Sequence, residues 1–121
     1  NSDVLDASLR LYERNRTVEK MTVKFKAKQR KAQILNHALR EARDGRLYKM
    51  TIDEIADHVG VKRPTIVHYF GSMQGLRDAV VSSAIKYDDL SLIAQALAAN
   101  DPLTEGIDAD LRERAALSLA R

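Results

Sequence analysis

Apolar side chains recur every three to four residues along much of the chain, and this spacing predicts amphipathic helices. The clearest stripe predicts a helix over about residues 27–43, through the positions Lys31, Ile34, Leu35, Ala38, Leu39 and Ala42. Asp44-Gly45 ends this helix, because glycine readily adopts the left-handed conformation found just after helices.

The first part of the chain carries a weaker pattern. Leu5, Leu9 and Tyr12 share one side of a short helix that is predicted over residues 4–14. Residues 15–25 lose the helical period, and apolar residues then alternate with lysines. We therefore expect residues 15–25 to form a linker or arm that is extended in part.

Two short helices are predicted after the first clear one. The earlier of them begins at the capping box Thr51-Ile52-Asp53-Glu54, in which Thr51 and Glu54 can satisfy each other's end of the helix. It stops at Gly60. The later one spans about residues 62–70, and Pro64 is tolerated because the first turn has no amide partner to lose.

The rest of the chain is also predicted to be helical. A long helix extends from about Met73 to Ala99, and a last helix spans roughly residues 108–120. The predicted fold class is therefore all-α. It comprises an N-terminal helix and basic arm over residues 1–25, a three-helix core over residues 26–72 and two C-terminal helices over residues 73–121.

The two short helices have the spacing of a helix-turn-helix. Ala56 is small where the helices approach most closely, and Gly60 lies in the turn, where a positive φ is needed. The positions that close the small core are apolar, namely Ile55, Val59, Val61 and Ile66. Such a motif presents the exposed side of its second helix to the DNA major groove. The rival interpretation is a helical hairpin of a bundle that matches by coincidence.

The segment from Ile34 to Val81 resembles the DNA-binding domain of the tetracycline-repressor (TetR) family. The matching features are Gly45, Thr51, Ile55-Ala56, Gly60-Val61, Pro64-Thr65-Ile66, Tyr69-Phe70, Ser72 and Leu76. Two positions depart from the family, which usually has tyrosine at Val67 and a phosphate-contacting lysine at Met73. The chain after the motif suffices for two helices, so the family's ligand-binding domain is not expected.

Charge is distributed unevenly along the chain, although the formal net charge is only +3. Residues 14–31 hold eight basic residues and one acidic residue, whereas residues 88–121 hold seven acidic and three basic residues. A basic segment beside a helix-turn-helix favours a nucleic acid as its partner, with an anionic membrane surface as the rival. The remaining alternative is a basic arm that is only solvated and binds no partner.

The helical wheel indicates which side chains face DNA. Lys62 and Arg63 project into the groove, and Arg63 is the best candidate for a bidentate bond to guanine. Pro64, Thr65, Val67 and His68 point away from the core. Of these, Thr65 suits a base edge or a phosphate and Val67 a thymine methyl group. The TetR resemblance implies phosphate contacts by Thr51, His68 and Tyr69. The arm adds Lys24, Lys26, Lys28 and Arg30.

The residues that metal binding or catalysis would require are not found in the sequence. The chain has no cysteine, and His37, His58 and His68 lie too far apart in sequence for a helical zinc pair, so no metal or cofactor is expected. No catalytic constellation is present, which argues against an enzyme. The longest apolar stretch is too short to span a bilayer, and no secretory signal is visible, which predicts a cytoplasmic protein without a membrane partner.

The sequence thus predicts a sequence-specific transcription regulator of double-stranded DNA, a repressor that binds a two-fold operator as a homodimer. The expected dimer surface is the helix over residues 73–99 with the last helix, joined by the N-terminal helix. No small-molecule effector is expected, because the chain lacks walls for a cavity of about 300 Å³. Alternatives are the DNA-recognition subunit of a phage packaging complex (a small terminase) or of a plasmid partition complex, and a protein-binding helical module. A phage or plasmid context fits the short layout.

Overall fold

The computed structural model describes residues 2–119 and, of their side chains, those of residues 7–11 and 13–119. Over this range the chain is all-α. The helices are α1 (Ser2–Ala42), α2 (Ile52–Val59), α3 (Arg63–Phe70), α4 (Met73–Lys86), α5 (Leu90–Ala98) and α6 (Ala109–Ser118), with a 3₁₀ turn at Pro102–Thr104. The chain divides into two units after Ala32.

The expectation of a linker over residues 15–25 is wrong, because this segment is helical throughout as part of α1. The residues from Ser2 to Ala42 include no glycine or proline, so nothing in them breaks a helix. The hydroxyls of Thr17 and Thr22 donate to backbone carbonyls one turn earlier, at 3.0 and 2.9 Å. The apolar period fades because the described side chains of residues 7–31 are almost all exposed. Leu5 and Tyr12 of the predicted stripe lie outside the described side chains.

The second unit contains the end of α1, from residue 33, and helices α2 to α6. The stripe predicted over residues 27–43 is confirmed at Ile34, Ala38 and Ala42, which are completely buried, but not at Lys31, which is exposed. They belong to one core with Ile55 of α2 and Ile66 of α3. The two residues of the predicted stop lie just beyond the end of this helix and both have positive φ, Asp44 at 61° and Gly45 at 78°.

The prediction of a single long helix over residues 73–99 is wrong, since α4 ends at Lys86 and α5 begins at Leu90. Asp88 has a φ of 54°, a left-handed conformation that aspartate tolerates better than most residues. The Asp89 carboxylate then accepts the backbone N–H of Leu92 and caps α5. Three α-helices, rather than two, therefore follow α3 in the described chain. The last of these is described to Leu119, so the predicted end at residue 120 lies outside the described residues.

The loop between α1 and α2 is tied to α4 and α5. The Gln95 side chain accepts the backbone N–H of Leu47 at 3.0 Å and donates to the carbonyl of Ala42 at 2.8 Å. Arg77 Nε donates to the carbonyl of Leu47 at 3.1 Å. The Tyr48 hydroxyl donates to the buried Asp101 at 2.8 Å, and partial burial together with this bond raises the pKa of Tyr48. Polar contacts as well as the shared core therefore join the helix-turn-helix to the later helices.

Replacing Gln95 by alanine should lower the free energy of unfolding by about 1–3 kcal/mol, because two backbone groups at the end of α1 and in its loop lose their partner. Urea unfolding of the full chain measures this change. Gln74→Ala is the control, since Gln74 is exposed and bonds only with nearby side chains of its own helix. Equal stability of the two variants would contradict a structural role for Gln95.

Candidate nucleic-acid interface

The first helix of the motif begins at Thr51, which has an extended backbone with φ −119°. Its hydroxyl oxygen accepts the backbone N–H of Glu54 at 3.2 Å, as the capping box requires. The reciprocal half of the predicted box is replaced by another contact, because the Glu54 carboxylate lies 2.6 Å from Arg46. Thr51 itself stays exposed, where its hydroxyl proton is available to a further acceptor.

The turn of the motif has the predicted geometry. Gly60 adopts a φ of 82°, and its N–H donates to the carbonyl of Ala56 at 2.9 Å, while the N–H of Val61 donates to the same carbonyl at 3.0 Å. Ala56 is almost completely buried, and Ile55 and Ile66 are completely buried. The sequence prediction of two helices joined by a glycine turn is therefore confirmed.

The helix α3 presents the outward face predicted for it. Its N-cap Lys62 is exposed, and so are Arg63, Pro64, Val67 and His68. Thr65 and Tyr69 are half-buried, and the Tyr69 ring meets the His68 ring edge-on, with 5.0 Å between centroids. The helix contains no acidic residue, so its solvent face carries only neutral and basic groups.

One contact at this face involves a residue that the sequence did not single out for DNA contact. Arg63 Nη1 lies 3.3 Å from both carboxylate oxygens of Asp53, in the first turn of α2. The two residues are ten positions apart and meet across the turn, so no local spacing rule indicates the pair. The pair places the start of α3 beside the start of α2, where Thr51 is the cap.

The arm residues lie in the first unit, on α1, and are exposed. Side chains four residues apart share one side of a helix, and this groups Arg16, Lys20, Lys24 and Lys28, here called the basic row. Lys26 points about 120–160° away from Lys20, Lys24 and Lys28, whereas Arg30 is fourteen residues from Arg16 and points within about 40° of it. A straight DNA segment along the basic row therefore leaves Lys26 facing away.

The described surface also holds an open depression of about 340 Å³ in the second unit, between Tyr48, α4 and the residues that follow α5. Tyr48, Gln74, Asp78 and Asp101 give it polar walls. The depression is open rather than enclosed, so it does not contradict the expectation that the chain lacks a ligand cavity of about 300 Å³. The absence of an effector stays a prediction.

Two other searches covered the described residues. Between residues 2 and 119, no helix combines the length and the apolar character that crossing a membrane requires. Among the side chains of residues 7–11 and 13–119, no three or more histidines, cysteines, aspartates or glutamates are grouped as they would be to hold a metal ion.

Comparison with known proteins identifies the motif. Residues 34–80 match the family of bacterial regulatory proteins described as the tetR family. No curated protein and no solved structure matches the chain. The matched range begins at Ile34, the first fully buried residue among the described side chains of α1, and ends at Val80 within α4, so it contains the whole helix-turn-helix and the first part of α4. Residues 34–80 are therefore a TetR-type helix-turn-helix DNA-binding domain.

Proposed function

We propose that the chain is a transcription repressor that binds a two-fold DNA operator as a homodimer, with α3 in the major groove. The observation that supports this best is the exposed, acid-free face of α3 on a TetR-type domain. In this proposal residues 1–25 are a basic arm, residues 26–72 the DNA-binding core and residues 73–121 the dimerisation part. Such a regulator acts in the cytoplasm, where bacterial DNA lies.

Base reading is assigned to the start of α3. Arg63 donates to guanine O6 and N7, Thr65 bonds to a base edge or a phosphate, and Val67 contacts a thymine methyl group. Lys62 and Pro64 line the same entry to the groove. Thr51, His68 and Tyr69 contact phosphates, which fixes the register of the helix on the duplex without reading sequence.

Homodimerisation is supported by apolar side chains that remain exposed. In the second unit the most exposed of these are Tyr87, Leu117 and Leu119, at the end of α4 and of α6, which fits the dimer surface expected within residues 73–121. On α1, Leu11, Val18 and Phe25 stand seven residues apart and are 60%, 55% and 61% exposed. We call these three residues the heptad row.

A seven-residue spacing keeps side chains on one side of a helix within about 20° per repeat and is typical of coiled coils. Met21 lies beside the heptad row and is also exposed. In such a coiled coil, residues that flank the seam of one helix lie opposite Asn15, Thr22 and Gln29 of the other helix, which are uncharged. A parallel, in-register pair therefore brings Arg10 and Lys24 opposite neutral residues, which suits a second copy of this helix.

Two charged residues on the seam limit the strength of such a helix pair. Arg14 and Lys28 occupy the alternate seam positions, where each faces its own copy in a parallel pair. Their long stems can carry the charge to water, but like charges still weaken the pairing. Screening by salt or by DNA phosphates relieves this repulsion, so pairing of α1 is favoured on DNA.

Selection of bound sites from random duplex DNA tests the function. A regulator of this kind should enrich an inverted repeat whose half-site centres are about 10 base pairs, or a multiple of that, apart. Enrichment of no sequence, with binding that depends only on salt, would contradict sequence-specific regulation.

Arg63→Ala tests the reading of bases on the selected site. The variant should lose about 1–3 kcal/mol of binding free energy and relax the preference at one base pair in each half-site. Titration of labelled duplexes that differ at that base pair measures both effects. Equal losses on the selected site and on random DNA would show that Arg63 contacts only phosphate.

A further inference from the structure

Asp53 and Arg63 form a contact that the proposed readout does not by itself require. Both carboxylate oxygens of Asp53 lie 3.3 Å from Arg63 Nη1, and the two side chains are 72% and 60% exposed. Asp53 is the second residue of α2 and Arg63 is the first residue of α3. The pair thus spans the turn of the motif at the end where α3 begins.

Stability does not account for this contact. An ion pair as exposed as this one contributes little to folding. The helices α2 and α3 are already joined by the buried Ile55 and Ile66 and by the turn at Gly60. The start of α2 already has its cap in Thr51 and a second acid in Glu54. A carboxylate beside a DNA-facing arginine also repels phosphates, so it weakens general affinity for DNA.

The geometry of the guanidinium indicates what the contact does. Both hydrogen bonds use Nη1, so the edge formed by Nε and Nη2 can still donate to an acceptor pair. That edge has the spacing that bidentate recognition of guanine O6 and N7 requires. The carboxylate therefore holds one side of the guanidinium and leaves the reading side open.

We propose that Asp53 is a positioning residue that sets the specificity of Arg63 for guanine. Held by Asp53, the guanidinium is oriented toward a base edge rather than swinging to the nearest phosphate. Without a guanine at this position, Arg63 stays paired with Asp53 and does not bind a phosphate instead. The negative charge of Asp53 therefore penalises complexes with DNA that lacks this guanine. This inference rests on the proposed DNA-binding function and adds the residue that sharpens it.

The test compares Asp53→Asn with Asp57→Asn in the full chain. Both variants remove one negative charge from an exposed residue of α2, one helical turn apart, and only Asp53 contacts Arg63. Affinities are measured for the selected site, for the same site with the guanine at the Arg63 position replaced, and for random duplex DNA. Urea unfolding of both variants checks that folding is unchanged.

Asp53→Asn should reduce the discrimination against the replaced guanine at least about fivefold, the lower end of what a bidentate contact provides. Its affinity for random DNA should rise. Asp57→Asn should leave the discrimination unchanged, and Asp53→Glu should restore part of it. In an Arg63→Ala background, Asp53→Asn should have no further effect on discrimination, which a purely structural role for Asp53 does not predict.

Two results would overturn the inference while the proposed function stands. One is an equal change in both asparagine variants, which reduces Asp53 to a general charge. The other is unchanged discrimination in Asp53→Asn alongside a selective wild-type chain. A wild-type chain that selects no sequence would overturn the proposed function and this inference with it.

Discussion

A chain that begins at Gln29 should bind every duplex more weakly, and its log–log salt slope should be flatter by roughly 3–4 per chain. The truncation removes the basic row, whose four side chains share one side of α1. Each phosphate that is neutralised contributes about 0.9 to the slope, so four contacts account for the expected change. The base preference should stay the same, because α3 is intact. Titrations of selected and random duplexes at several salt concentrations measure both quantities.

Point variants provide the control for this truncation. Lys20→Gln with Lys24→Gln removes two members of the basic row, whereas Lys26→Gln removes a charge that points about 120–160° away from both. The double variant should flatten the slope by roughly 1.8, and Lys26→Gln should leave it nearly unchanged. A truncated chain with a lower sedimentation mass and an unchanged slope per chain would assign the segment to assembly instead.

The helix-turn-helix could be predicted closely because its signals are local. Thr51 and Gly60 act through backbone groups within one turn of themselves, and the structure shows those same bonds. The outward face of α3 followed from the position of Ile66, since one buried side chain fixes the orientation of so short a helix. These features depend on neighbouring residues, which a sequence displays directly.

Other features depend on information that spacing rules do not contain. The sequence predicts an arm over residues 15–25 because an apolar period reports a buried face, whereas this part of α1 is helical with its side chains exposed. The break between α4 and α5 depends on the left-handed backbone of Asp88, which any aspartate could adopt but few do. The bonds of Gln95 and the Asp53–Arg63 pair join distant positions, so only the folded chain reveals them.

Leu11→Cys should form a disulfide-linked dimer under mild oxidation, whereas Leu9→Cys should not. The two leucines are equally exposed on α1, at 60% and 59%, but they point about 200° apart. The chain has no cysteine of its own, so a covalent dimer reports only the introduced thiol. In a parallel, in-register pair the two Leu11 positions face each other at a separation that a disulfide can bridge. In an antiparallel pair Leu11 faces residues near Phe25, and Leu11→Cys alone should not cross-link.

Val18→Glu should then weaken dimerisation of the full chain on the order of a hundredfold or more, because each copy loses a buried valine worth about 1.5–3 kcal/mol and the two new carboxylates repel. Val23→Glu is the matched control, since Val23 is also exposed, more so than Val18, and lies outside the heptad row. Sedimentation in the presence of operator DNA measures the mass of both variants where phosphates screen Arg14 and Lys28. The heptad row would be excluded if Val18→Glu and Val23→Glu have equal masses and if Leu11→Cys and Leu9→Cys either both cross-link or both fail to. The dimer surface would then lie within residues 73–121.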